Sequence, residues 1–318
     1  MPFALRRLRL APAVAAMAGA LRLRHPRDVD RPLRAGFERG LPMIQDHPDR
    51  TSGAQLVVTT ADGASLRVLV EGRGRPLLLV TGLGGSAGFW TGSAEALGRS
   101  FRVVRFDQRG IEASTRGSAP CSIEELARDC LSVLDGAGIE RAVVLGHSTG
   151  GCIAQSLAKL APARIEGLIL SGSWLKPSRY MAGYFGARRE ILASHPQAYA
   201  ASSVLCAYPP AWIEANWHIY EAALAAAPKT AAAQAVMRER IDALLAFDGA
   251  AQAGSLAMPT LVLGARDDMV VPAFLQEELA AALPGCSKTM LDTGGHLFPI
   301  SRPDAFTSTI ADWIGRLA

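Results

Sequence analysis

The chain has 318 residues, 49% hydrophobic and 19% charged, enough to bury a sizeable core and too apolar for a disordered chain. Its formal charge of +4 is concentrated: Arg6, Arg7, Arg9, Arg22, Arg24 and Arg27 stand in a stretch with no acid, and the remainder sums to −2, which excludes the electrostatic footprint of a nucleic-acid binder. Five cysteines (Cys121, Cys130, Cys152, Cys206 and Cys286) lack C-x-x-C spacing, which argues against a zinc site and for free thiols in a reducing, cytoplasmic compartment.

Residues 1–50 form a basic N-terminal extension unlike the rest. Its alanine-rich run over residues 10–21 is too short to span a bilayer. Three readings stay open: an export signal with Ala16-Met17-Ala18 at its cleavage site, a basic amphipathic helix lying on the body or on a membrane surface, or an extension without catalytic importance.

Regular structure is expected from about Gln55. Residues 56–60 and 65–70 are β-rich, with a hairpin signal at Ala61-Asp62-Gly63 between them. Residues 76–81 form a fully apolar strand ending in Gly82-Leu83-Gly84-Gly85-Ser86, and residues 101–107 form the next. Ser122 and Glu125 have capping-box spacing and open a helix running to about Leu134. An apolar strand over 142–145 then meets Gly146-His147-Ser148-Thr149-Gly150, and helical spacing follows at Ile153, Ala154, Leu157, Ala158 and Leu160. Residues 164–171 give a further strand. Strands that alternate with helices and are apolar throughout argue for a parallel sheet covered on both faces.

The alternation stops at Trp174. Up to about Gln252 there are only helical stretches and turns, holding all five tyrosines, three tryptophans, and the cations Lys176, Arg179, Arg188 and Arg189. This reads as a helical cap, residues 174–252, between core segments 51–173 and 253–318. Trp174, Tyr180, Tyr184 and Trp212 are the expected substrate contacts, and the cations could attract a small carboxylate or could be solvated helix-face charges. The alternation returns with a strand at 259–264, a loop holding Asp267 and Asp268, a helix from Pro272, a strand at 287–291, Gly294-Gly295-His296, and a closing helix from Pro303.

Strand, G-x-S-x-G and helix in this order describe a nucleophile elbow, in which Gly146 and Gly150 make room for a strained Ser148. A serine needs a base, and the base needs a group that holds its tautomer. Ser148, then Asp267 or Asp268, then His296 supply these, each after a predicted strand. Leu83 and Thr149 are the expected backbone donors of an oxyanion hole. His147, adjacent to the serine, reads as a packing residue.

From about Gln55 onward the sequence resembles the α/β-hydrolase superfamily, through the elbow and the Ser…Asp…His order. Within it the chain is similar to the aminoacrylate hydrolases of pyrimidine degradation and to enol-lactonases. Thr81-Gly82-Leu83-Gly84-Gly85-Ser86, Asp107-Gln108-Arg109-Gly110, Gly172-Ser173-Trp174-Leu175, the segment from Asp267 to Pro272 and Gly294-Gly295-His296 carry that likeness. Thr81 stands where the superfamily commonly has histidine, and Glu112 where glycine is frequent. The family's usual spacing counted from Gly264 selects Asp267 as the acid; counted from Pro259 and from Pro272 it selects Asp268, the favoured residue, with Asp267 the alternative.

The resemblance implies an α/β-hydrolase fold, a mostly parallel sheet flanked by helices with an inserted helical cap. It implies a Ser148–His296–Asp268 acyl-enzyme mechanism acting on a small ester, lactone or amide-like substrate, without metal or organic cofactor. A general carboxylesterase, a 3-oxoadipate enol-lactonase, and a hydrolase-fold binding protein or receptor with little turnover are the alternatives. The expected partner is a small molecule and not nucleic acid. Membrane contact through the N-terminal extension and formation of a homodimer stay open.

Overall fold

The runs expected to be strands form one eight-stranded sheet in the computed structural model, which describes residues 53–317. The expectations placed on residues 1–50 lie outside these. In chain order the elements are β1 (Ala54–Thr59), β2 (Ser65–Glu71), β3 (Arg75–Val80), α1 (Thr91–Leu97), β4 (Phe101–Phe106), α2 (Ile123–Gly136), β5 (Ala142–His147), α3 (Thr149–Leu160) and β6 (Ile165–Ser171). Six helices follow: α4 (Arg179–Ser194), α5 (Pro196–Ala207), α6 (Pro210–Ala215), α7 (Trp217–Ala225), α8 (Ala231–Ala246) and α9 (Ala250–Ala253). The chain then returns to the sheet with β7 (Thr260–Ala265), α10 (Ala273–Ala282), β8 (Ser287–Leu291), α11 (Phe298–Ser301) and α12 (Pro303–Ile314).

The sheet order is β1-β2-β4-β3-β5-β6-β7-β8; β1, β2 and β4 pair antiparallel in that order and every pair from β4 to β8 is parallel. The two-residue strand period sorts the core onto two faces. Leu78, Val80 and Val144 face one core, which α2, α3 and the cap helices share, while Leu77, Leu79, Val143 and Leu145 face the other, closed by Trp90, Phe306 and Trp313.

β3 has β4 on one side and β5 on the other, so the connections leave in opposite directions and open a crevice at the carboxyl ends of β3 and β5. Val80 pairs with Gly146 at that end, which sets the loop after β3 beside the elbow. The cap helices α4 to α9 are inserted between β6 and β7, and no helix among the described residues is long and apolar enough to cross a membrane.

One local expectation needs correction, and one helix was not expected. Ser122 Oγ accepts the Glu125 N–H at 3.1 Å, but the Glu125 carboxylate does not complete the capping box; it pairs with Arg109 at 3.2 Å and Arg128 at 3.0 Å, where charge offers more than a second cap bond. The short helix α1, built on Gly92, Ala94 and Ala96, carries too weak a pattern to be read from sequence.

Candidate active site

Ser148 sits between β5 and α3 with φ 57° and ψ −124°, one of only two non-glycine residues at positive φ among those described. Such backbone is costly for an L-residue and persists where the surroundings over-determine it. Here the Ser148 N–H is held by Ser171 O at 2.8 Å. A Cβ on Gly146 would run into the Gly150 carbonyl, and one on Gly150 into the Val80 carbonyl, so the turn closes only with glycine at both positions.

The acid and the imidazole come from the loops after β7 and β8. His296 Nδ1 lies 2.8 Å from Asp268 Oδ2, and the Asp268 side chain is fully buried. Asp268 also accepts the N–H groups of Val270 and Val271, each at 2.8 Å, and Gln276 Nε2 at 3.3 Å. A carboxylate at Nδ1 favours the tautomer with the proton there and leaves Nε2 free to accept one. Asp267 points instead to the loop before His296, accepting Gly295 N at 2.8 Å, Gly294 N at 3.1 Å and Thr293 Oγ1 at 2.7 Å. Burial works against its charge, but these donors outweigh it and hold its carboxyl below the ordinary value. Of the adjacent pair, then, Asp268 holds the imidazole and Asp267 ties down the loop that carries it.

Ser148 and His296 line one cavity of about 430 Å³, together with His147, Leu83 and side chains from the cap. No hydrogen bond joins Ser148 Oγ to His296. The loop after β3 lies against the serine: a Cβ on Gly82 would stand 2.9 Å from Ser148 Cβ. The Leu83 N–H has no hydrogen-bond partner among the described residues, and Thr149, as the first residue of α3, has no carbonyl one turn back to receive its N–H. His147 packs as expected, its ring 5.4 Å from Phe89 and 5.0 Å from His296, with Nδ1 3.0 Å from Ser171 Oγ. Burial, and then His296, hold its pKa well below the usual histidine value, so it forms a neutral wall.

The cap contributes differently from expectation. Tyr184 lines the cavity, but Trp174, Tyr180 and Trp212 do not. Trp174 is fully buried in the core and its carbonyl accepts Gln155 Nε2; Tyr180 is exposed, bonding Met269 O; Trp212 stacks on Tyr208. Aromatic rings satisfy the cap's own packing first, and only packing decides which one reaches the cavity. Of the four cations, Lys176 and Arg179 are exposed and Arg189 pairs with Asp242 at 3.2 Å.

Arg188 alone of these is buried, at 7% exposure, in the cavity wall. Its Nη2 donates to Ser203 Oγ, its guanidinium lies 4.4 Å from the Tyr199 ring centroid, and its Nε has no partner. None of the described residues lining the cavity is acidic. Arg240 and Gln108, which hold the loop after β3, carried no signal that singled them out for a site: Arg240 lies in a helix without a motif, and Gln108 was only one letter of the Asp107-Gln108-Arg109-Gly110 turn. Glu112 takes φ 49°, a conformation that glycine adopts more readily than a residue with a side chain. Thr81 donates its hydroxyl to Ser86 O at 3.1 Å and so braces the same loop.

Residues 75–303 match the alpha/beta hydrolase fold family. Similar curated proteins include the "Putative carbamate hydrolase RutD" of Azorhizobium caulinodans, 37% identical over 255 residues that cover 80% of this chain and 96% of that protein. The protein of the same name from Variovorax paradoxus is 35% identical, covering 77% of this chain and 93% of its own. Among solved structures, a hydrolase from Pseudomonas aeruginosa superposes with a TM-score of 0.74 at 29% identity, covering 83% of this chain and 99% of that one. The enol-lactonase from Burkholderia xenovorans shares the fold, with a TM-score of 0.74 at 24% identity over 82% of this chain and all of that one. With the elbow at the crevice between β3 and β5 and these relatives spanning most of its length, the chain is a hydrolase belonging to the α/β-hydrolase superfamily.

Proposed function

We propose that the protein is a serine hydrolase that cleaves a short ester, lactone or amide-like bond through an acyl-enzyme. Ser148 Oγ attacks the carbonyl carbon while its proton passes to His296 Nε2, and Asp268 stabilises the imidazolium that results. The N–H groups of Leu83 and Thr149 receive the charge that develops on the carbonyl oxygen, each such donor being worth about 3–4 kcal/mol in the transition state. Collapse expels the leaving group with the proton from His296, and water repeats the cycle on the acyl-enzyme. The observation that carries this reading is the 2.8 Å Asp268–His296 bond on a cavity shared with a strained Ser148. Serine–histidine bonds are often long before substrate arrives and tighten in the bound complex.

The cavity supports a small substrate with a negative charge. A volume of about 430 Å³, walled by apolar cap residues, suits a short acyl group better than a lipid chain. Arg188 is a desolvated cation without a carboxylate partner among the described residues, and a substrate carboxylate or carbamate group would supply the missing charge. The RutD relatives, named for carbamate hydrolysis, agree with that size and chemistry.

Measured kcat/KM across acetyl, butyryl and palmitoyl aryl esters is expected to favour the short esters by tenfold or more, and a tenfold preference for palmitoyl would overturn the reading. A carboxylate-bearing ester should be preferred over its neutral analogue. Arg188→Met should erase that preference, by about 10- to 100-fold given the usual strength of a charge-assisted hydrogen bond, and leave the neutral ester little changed.

A further inference from the structure

The second buried cation of the cap does not reach the cavity; it reaches the loop that forms one side of it. Arg240, on α8, is 2% exposed, and no ion pair joins it to an acid among the described residues. Two of its hydrogen bonds go to the loop after β3 and one to the loop after β4: Nε donates to Leu83 O at 2.7 Å, and Nη2 to Gly82 O at 3.1 Å and to Gln108 Oε1 at 2.6 Å. Gln108 continues the brace, donating from Nε2 to Thr81 O at 2.7 Å and from its backbone N–H to Gly85 O at 2.9 Å. Three consecutive carbonyls, at positions 81, 82 and 83, are therefore held by the side chains of Gln108 and Arg240.

The geometry of one peptide gives this brace its meaning. The Gly82 carbonyl and the Leu83 N–H belong to the same planar trans unit, so they point in opposite directions. A guanidinium on the carbonyl turns the N–H away from itself, and that N–H is the one with no partner, on the loop packed against the serine. The same contact polarises the peptide. A positive charge at the oxygen draws electron density from the nitrogen and makes its N–H a stronger donor, an effect enlarged where water is excluded. Burial pulls the Arg240 pKa below the usual arginine value, yet a guanidinium stays charged in proteins. Space for it is provided locally: Gly85 adopts φ 70°, and a Cβ there would come within 3.1 Å of Arg240 Nη2 and 2.8 Å of Ile111.

We infer that Arg240 is a positioning residue of the oxyanion hole: from the cap, it orients and polarises the Gly82–Leu83 peptide so that the Leu83 N–H is aimed at the developing oxyanion. The inference rests on the serine-hydrolase reading, in which Leu83 is such a donor. It also makes the cap part of the catalytic apparatus, because the peptide receiving the charge is held by a cap helix as well as by the sheet.

The test compares Arg240→Met and Arg240→Lys with the intact protein on an aryl acetate and on a phenylboronic acid, whose serine adduct places a boron hydroxyl where the oxyanion forms. In Arg240→Met, kcat should fall about 10- to 100-fold with KM within threefold, and boronate affinity should fall in parallel, since removing a whole oxyanion donor costs about 100- to 1000-fold. A merely structural arginine predicts a lower melting temperature with kcat per folded molecule intact, and that result overturns the inference. So does a raised KM at unchanged kcat, or an unchanged boronate affinity. Arg240→Lys keeps the charge but loses the fork, so its kcat should lie between the two. It also decides the matter if Arg240→Met does not fold, when a wild-type kcat in the lysine variant overturns the inference. Ser148→Ala separates the two readings: if it keeps full turnover the serine reading fails, whereas if it abolishes turnover and the Arg240 variants retain theirs, only the present inference fails.

Discussion

Arg109, on the loop after β4, and Arg240, on the cap helix α8, are almost equally buried, at 1% and 2% exposure. Arg109 is surrounded by carboxylates: Asp129 at 2.6 Å, Asp62 at 2.9 Å and Glu125 at 3.2 Å. Arg240 meets only carbonyl oxygens, and Arg188, the other buried cation of the cap, only a serine hydroxyl and aromatic rings. Desolvating a charge is expensive in both places. In the body of the fold the expense is offset by fixed counter-charge, and the result is a static brace. Among the described residues, Arg188 and Arg240 pair with no carboxylate, which suits a place where negative charge arrives with the substrate or develops during reaction. Buried arginines in one protein thus differ by what surrounds them, Arg109 among carboxylates and Arg188 and Arg240 paired with none among the described residues.

The comparison can be tested from its strongest consequence downward. If the elbow carries the chemistry, Ser148→Ala should lower kcat by about six orders of magnitude with the fold intact, and His296→Ala nearly as much, because the members act as a unit. A tenth of wild-type turnover in Ser148→Ala would falsify the serine mechanism. Next comes the acid loop. Asp268→Asn should lower kcat by about 10⁴-fold by favouring the wrong tautomer, while Asp267→Asn should leave most of kcat; a large loss confined to Asp267→Asn would exchange the two roles.

The stability of the two arginine sites should then diverge. Arg109→Met strands the buried Asp129 and is expected to cost about 3–5 kcal/mol in denaturant unfolding. Arg240→Met strands neutral acceptors only, at about 1–3 kcal/mol. Equal losses would erase the distinction drawn between them. The smallest effect is that of pH on Asp267. Its folded pKa is depressed, so its stabilising contribution is fully present above the unfolded value near 4 and is lost as pH falls through the folded one. The stability gap between wild type and Asp267→Asn should be constant above about pH 5 and narrow below about pH 4. A gap that stays constant from pH 7 to pH 3 would remove that account of Asp267.

Much of the architecture was legible along the chain. Strands such as 76–81 and 142–145 announce themselves by short apolar runs between turns, and the elbow by glycines two residues either side of Ser148, because strand formation and tight turns depend on near neighbours. The helical character of the insertion was legible for the same reason. Counting along the loop favoured Asp268 over Asp267, but two adjacent carboxylates differ only in direction. It is the register of β7 against β8, with Gly264 opposite Met290 and Ala265 opposite Leu291, that turns one toward His296 and the other toward Gly295.

The cavity wall was legible only in part, Leu83 and Tyr184 among its expected members and Trp174, Tyr180 and Trp212 not belonging to it. Tyr180 and Tyr184 lie one turn apart on α4, yet one ends at the surface and the other at the cavity, and Arg188 and Arg189 are neighbours of which only the first turns inward. Cap helices pack on one another and on the sheet at the same time, so a residue's neighbours are drawn from several elements and no single periodic stripe announces them. Arg240 meets Leu83 across 157 positions of sequence, and only the folded chain brings that guanidinium to that carbonyl. Local chemistry therefore set the strands, the turns and the candidate nucleophile, while long-range packing alone decided which buried charge faces the cavity.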